Sequence, residues 1–120
     1  MNWACCLCLL SAVLACQSRD QPEPVAVPNK LEIVSAPAGG DVAKLVREAQ
    51  IEANRARRKL LVYVSASWCE PCRYFQEAAE RGQLDAEFGD LRLLKFDFDR
   101  DEDRLARAGY DSKMIPLWVV

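Results

Sequence analysis

The sequence predicts an α/β sandwich with a parallel pair of strands at its centre. Three observations carry that prediction. Leu60-Leu61-Val62-Tyr63-Val64 is a short continuous apolar run rich in β-branched and aromatic residues, which suits a strand buried on both faces. Leu91 to Phe98 reads as a second strand, and helical spacing precedes and follows both runs. Strands that alternate with helices imply a parallel arrangement, because each crossover helix must pack back onto the sheet.

In chain order, Leu31-Glu32-Ile33-Val34 has strand content and is broken by Pro37, Gly39 and Gly40. From Asp41, an N-cap, apolar residues recur at Val42, Leu45, Val46, Ala49 and Ala53, the stripe of one helix face. The basic run Arg55, Arg57, Arg58 and Lys59 then complements the negative end of the helix dipole. After the Leu60–Val64 strand, Ser65 to Cys72 leads into a helix from Arg73 to about Arg81 that Gly82 can end. The second strand spans Leu91 to Phe98, and a short helix spans Glu102 to Ala108, capped by Asp99 or Asp101 and closed by Gly109. Leu117 to Val120 opens a third core strand. Phe75, Leu84, Phe88 and Trp118 are expected in the core, since their neighbours follow helix or strand spacing.

Composition narrows the chemistry. The 120 residues, 51% hydrophobic and 28% charged, fit one folded domain. Sixteen basic against 18 acidic side chains give a net charge of −2, so no positive field is present to hold a nucleic-acid backbone. Histidine is absent, which removes Ser-His-Asp triads, Cys-His proteases and His-ligated zinc. Asp97, Asp99, Asp101 and Asp103 alternate like the start of a calcium loop, but Glu102 stands where Gly is required and Ala108 where a bidentate Glu is required. No metal site is expected.

The first charged residue after the N-terminus is Arg19, and Trp3 to Ala15 is apolar. That run is shorter than the roughly 20 residues a membrane-spanning helix needs and suits an export signal over residues 1–15. Val13-Leu14-Ala15-Cys16 resembles the lipobox of bacterial lipoproteins, which implies lipid on Cys16 and a membrane-anchored protein of the cell envelope. An ordinary secretory signal or an uncleaved apolar anchor is the alternative. Residues 16–30, with Pro22, Pro24 and Pro28, read as a Pro-rich tether ahead of a domain over 31–120.

If Cys5, Cys6 and Cys8 leave with the signal and Cys16 carries lipid, Cys69 and Cys72 remain. Two thiols three residues apart cannot supply four zinc ligands, so they form a redox pair or a plain disulfide. At a strand-to-helix junction, the helix N-terminus lowers the pKa of the first thiol from its free value of about 8.5. Cys69 is then the nucleophile toward a substrate disulfide, and Cys72 attacks the Cys69 sulfur to release the reduced product, with no further cofactor. Pro71 is tolerated in a first helical turn and stiffens it, while Glu70 opposes thiolate formation at its neighbour.

Trp68-Cys69-Glu70-Pro71-Cys72, the strand before it, Lys95-Phe96-Asp97-Phe98-Asp99 and Ile115-Pro116 resemble the thioredoxin superfamily, in particular its membrane-tethered envelope members. The resemblance implies a three-layer thioredoxin-like sandwich with a central mixed sheet. It also implies Cys69 as attacking thiol, Cys72 as resolving thiol, Trp68 as a wall of the site, and Pro116 as a cis-proline beside Ile115, whose backbone receives an extended substrate. Two departures stand out. Tyr63 occupies the place of a buried Asp whose usual Lys partner matches Lys95, and the family continues past the cis-proline into a further strand and helix, so the 31–120 domain reads as C-terminally incomplete.

The function expected from this likeness is thiol-disulfide exchange with cysteines of exported proteins, as a reductase, supplied by an unidentified thiol donor or acceptor. The rival is a non-catalytic thioredoxin-like binding or scaffold module with a structural disulfide. A metal carrier using the two thiols has little support without His.

Overall fold

The computed structural model describes residues 29–120. The predicted export signal, the Cys16 lipidation site and the tether up to residue 28 lie outside the described residues. Within them the order is β1 (Glu32–Ser35), α1 (Val42–Arg55), β2 (Lys59–Ser65), α2 (Glu70–Glu80), α3 (Asp85–Phe88), β3 (Leu91–Asp97), α4 (Phe98–Arg107) and β4 (Leu117–Val119). The strands form one sheet in the order β1-β3-β2-β4. β1, β3 and β2 run parallel, and β4 pairs antiparallel with β2. This mixed α/β sheet is compatible with a thioredoxin-like arrangement.

The two-residue period of β2 divides the core. Leu60, Val62 and Val64 join Leu94 and Phe96 on the face covered by α1, through Val42, Ala49 and Ala53, and by α4, through Leu105. Leu61 and Tyr63 lie on the other face with Leu93, Phe75 and Ala79, beneath α2. α1 follows the predicted stripe and cap: Asp41 Oδ1 accepts the Lys44 N–H at 2.7 Å. Of the basic run that follows, only Arg55 lies in the last helical turn. Arg58 instead donates to the carbonyls of Lys30, Gly89 and Leu91 at 2.7, 3.1 and 3.0 Å, stitching the chain entry to the start of β3.

Several boundaries differ from the sequence reading. α4 begins at Phe98, not Glu102, because Asp97 at the end of β3 caps it, its Oδ1 accepting the Arg100 N–H at 3.0 Å. Asp99 and Asp101 are therefore first-turn acids and not caps, which still suits the positive helix end. Asp101 is buried and binds Arg100 and Arg104, and Arg104 reaches on to the carbonyls of Pro37, Gly39 and Gly40. α4 is thereby tied to the loop between β1 and α1. α2 starts at Glu70, three residues ahead of the expected Arg73, since Cys69 caps it and Pro71 fits a turn that lacks intrahelical donors. The short α3 has no counterpart in the sequence reading.

Phe75 and Leu84 pack against the core as expected. Phe88 and Trp118 do not become buried: they are 43% and 42% exposed, on the walls of an apolar cleft of about 280 Å³ with Leu61, Phe75, Leu91 and Leu93. Strand alternation decides which face Trp118 takes, but not whether a layer covers that face. Its ring nonetheless stacks on Tyr63 at 5.7 Å and meets Phe75 edge-on at 5.4 Å.

Candidate active site around Cys69 and Cys72

β2 delivers the chain to the site. Its last residues are buried among apolar neighbours, so the strand cannot shift without moving the core, and Ala66 to Trp68 form the short turn into α2. Cys69 holds extended backbone as N-cap, and its Sγ accepts the Cys72 N–H at 3.3 Å. Cys69 and Cys72 form a disulfide with their Cα atoms 5.2 Å apart. One free N–H of the helix start thus already points at the Cys69 sulfur, and it would stabilise a thiolate there once the bond is reduced. A close Cys-x-x-Cys disulfide so placed fits either a redox pair or a structural staple.

The two cysteines differ little in exposure. Cys72 is fully buried, and Cys69 is only 4% exposed. Ala66, Phe98 and Ile115 pack around them. The Ile115–Pro116 peptide bond is cis, and Ile115 lies against the cysteine cluster just before β4. The chain fold thus brings Ile115, far along the sequence, to Cys69 and Cys72.

Trp68 is 63% exposed, yet its ring is held. Its Nε1–H donates to both carboxylate oxygens of Asp99, at 2.9 and 3.1 Å, and its plane stands edge-on to Phe98 at 6.3 Å between centroids. Glu70 sits beside Cys69, but its carboxylate accepts the Tyr74 O–H at 2.8 Å and lies 3.7 Å from Arg73. Its charge is in part answered by these partners, which weakens its opposition to a neighbouring thiolate.

On the opposite side of α2, Tyr63 is buried against Phe75 and Trp118, and its O–H donates to the Cys72 carbonyl in a long bond of 3.5 Å. Burial raises the Tyr63 pKa above its ordinary value, while the side chains of Gln76 and Ser65 act in the opposite sense. Lys95 is paired with Tyr63 in the β2–β3 register and donates to Gln76 Oε1 at 3.2 Å. Lys95 therefore lies under α2 and meets Gln76, not the cluster around the cysteines.

Three residues of this neighbourhood escape the sequence reading. Asp99 touches Trp68 across 31 positions, which no local pattern encodes. Phe98 was read as a strand residue and instead opens α4 beside the disulfide. Gln76 was legible: it stands four residues after Cys72, the helical spacing that places two side chains on one face.

Among the described residues no group of His, Cys, Asp and Glu could hold a metal ion, and no helix is long and apolar enough to cross a membrane. Comparison of the chain with protein-family models, with curated proteins and with solved structures finds no match.

Proposed function

We propose that the protein is a thioredoxin-like thiol-disulfide oxidoreductase of the bacterial cell envelope that exchanges electrons with cysteines of exported proteins, acting as a reductase. The observation that carries this reading is the cysteine pair at the N-terminus of α2, with a helix N–H directed at the Cys69 sulfur. In the reduced form Cys69 attacks a substrate disulfide and Cys72 resolves the mixed disulfide, so the protein is oxidised and the substrate reduced by two electrons. Trp68 walls the site, and the Ile115–Pro116 segment receives an extended substrate. The lipid on Cys16 and the tether after it are read from the sequence alone, and they would hold the domain at a membrane surface.

Trapping tests the reading. In a Cys72→Ser protein the mixed disulfide cannot be resolved, so Cys69 should accumulate covalent adducts with exported proteins, released by dithiothreitol. An empty trap would sink the exchange function. A second reading, a binding or scaffold module with a structural disulfide, is favoured by one observation, the burial of both sulfurs. Equilibration against glutathione separates the two. A potential between about −270 and −120 mV suits exchange, whereas one below about −300 mV marks a bond that rarely opens.

A further inference from the structure

Tyr74 is a large aromatic residue that neither packs in the core nor takes part in the exchange steps above, and it is 56% exposed on the surface of α2. Its ring is nevertheless held. The Arg73 guanidinium lies 4.7 Å from the ring centroid, and the Tyr74 O–H donates to Glu70 Oε1 at 2.8 Å. Side chains on a helix lean toward its N-terminus, so a tyrosine four residues on reaches back one turn to Glu70.

The contact matters because of where Glu70 stands. It is the first residue of α2, directly after Cys69, and a carboxylate there is drawn to the unpaired N–H groups and positive end of the helix. Those are the groups that stabilise a thiolate on Cys69, whose Sγ already accepts the Cys72 N–H. A carboxylate settled among them would compete with the thiolate for the same donors and repel it as a like charge. Tyr74 draws the Glu70 carboxylate the other way, along the flank of α2 toward the next turn. Arg73 by itself does not, because it lies 3.7 Å from Glu70, beyond hydrogen-bond reach, and is committed to Glu77 at 2.9 Å.

The elements packed around Cys69 bring other charges, each with its own engagement. From α4, Phe98 packs on the cysteines and Asp99 accepts from Trp68. Asp97 caps α4, and Asp101 is paired with Arg100 and Arg104. From the segment before β4, Ile115 packs on the cysteines, while Asp111 and Lys113 are exposed. β2 arrives through Ser65, which carries no charge. Glu70 adjoins Cys69 in the chain, and its carboxylate is placed by Tyr74.

We propose that Tyr74 is a positioning residue for the exchange: by holding the Glu70 carboxylate on the flank of α2 it leaves the helix N-terminus to the Cys69 thiolate and keeps that sulfur reactive. The proposal rests on the exchange reading above. Glu70 and Tyr74 are exposed, so water and salt screen the effect, and losing the hydrogen bond should slow Cys69 about two- to threefold.

The full chain is reduced, and alkylation of Cys69 by iodoacetamide, an uncharged probe, is followed by peptide mass between about pH 5 and pH 10. Tyr74→Phe keeps the ring that Arg73 covers and loses only the hydroxyl. It should slow alkylation at pH 7 about two- to threefold and move the midpoint of the rate profile to higher pH. Glu70→Gln should react at least as fast as wild type, and adding Tyr74→Phe to Glu70→Gln should change nothing. A wild-type rate in Tyr74→Phe, a slower rate in Glu70→Gln, or equal slowing by Tyr74→Phe with and without the Glu70 carboxylate overturns the role of Tyr74 and leaves the exchange reading intact. The reduced wild-type protein is also given bis(2-hydroxyethyl) disulfide. Formation of the Cys69–Cys72 disulfide supports exchange, whereas a protein that stays reduced overturns the exchange reading, and this proposal with it.

Discussion

Asp101→Asn tests how firmly α4, and with it Phe98 beside the disulfide and Asp99 on Trp68, is anchored. The Asp101 side chain is 1% exposed. It accepts the Asp97 N–H at 3.0 Å, Arg100 Nε and Nη2 at 2.9 and 2.7 Å, and Arg104 Nε and Nη2 at 3.0 and 2.8 Å. Removing one partner of a buried charged pair costs about 3–5 kcal/mol, because the other charge is left uncompensated. Arg100 is partly exposed and water can recover some of its solvation, which points to the lower end, about 3 kcal/mol.

For a domain of this size each kcal/mol moves the thermal midpoint by about 4–8 °C, so Asp101→Asn should melt about 12–24 °C below wild type at pH 7. The difference should also depend on pH in one direction. Burial alone would raise the Asp101 pKa, but the hydrogen bonds from Arg100, Arg104 and the Asp97 N–H outweigh it and hold the carboxyl below its ordinary value. A carboxyl depressed in the folded state contributes its full stability above the unfolded pKa of about 3.9 and loses it as pH falls through the folded value. Melting followed by circular dichroism from pH 7 down to pH 2 should show the wild-type midpoint falling toward that of the variant. Equal midpoints at pH 7, or a gap that stays constant into acid, would refute the reasoning.

Two further substitutions probe the site and its support. Asp99→Ala removes the acceptor that holds Trp68, and since the pair is exposed the stability cost should stay near 1 kcal/mol. The sharper expectation is a change in Trp68 fluorescence and faster quenching by iodide, and unaltered quenching would mean that Phe98 alone fixes the ring. Gly89→Ala places a Cβ 2.5 Å from the Asp85 carbonyl oxygen and 2.7 Å from the Asn29 backbone, so the chain entry must move away from α3. Overpacking of this kind costs about 1–3 kcal/mol, and urea unfolding that leaves the midpoint unchanged would contradict that close approach.

The relation between pattern and structure differs from element to element. The cap and apolar stripe of α1 were legible, since both lie within one stretch of chain, whereas its basic end was not, because Arg58 turns to carbonyls distant in sequence. β2 was legible because burial on both faces leaves a continuous apolar run, and β3 because Leu91, Leu93, Leu94 and Phe96 keep it apolar despite Arg92 and Lys95. α4 was misplaced by four residues, because Asp97, Asp99 and Asp101 are equivalent as local cap candidates. In the fold Asp97 takes the cap, while Asp99 is engaged by Trp68 and Asp101 by two arginines. Phe88 and Trp118 were assigned to the core on spacing that identifies a face but says nothing of what packs on it.

The cysteine pair at a helix start was written in the order of its residues. A strand of β-branched residues followed by Trp68-Cys69-Glu70-Pro71-Cys72 leaves the backbone little choice but a turn and a capped helix, and those are short-range constraints. The company the pair keeps was decided by the sheet. Parallel pairing of β2 with β3 sets Lys95 opposite Tyr63, and α4 brings Phe98 to the sulfurs and Asp99 to Trp68. Those contacts join residues tens of positions apart. They form when sheet register and layer packing bury apolar area together, a balance that no local stretch of the chain contains.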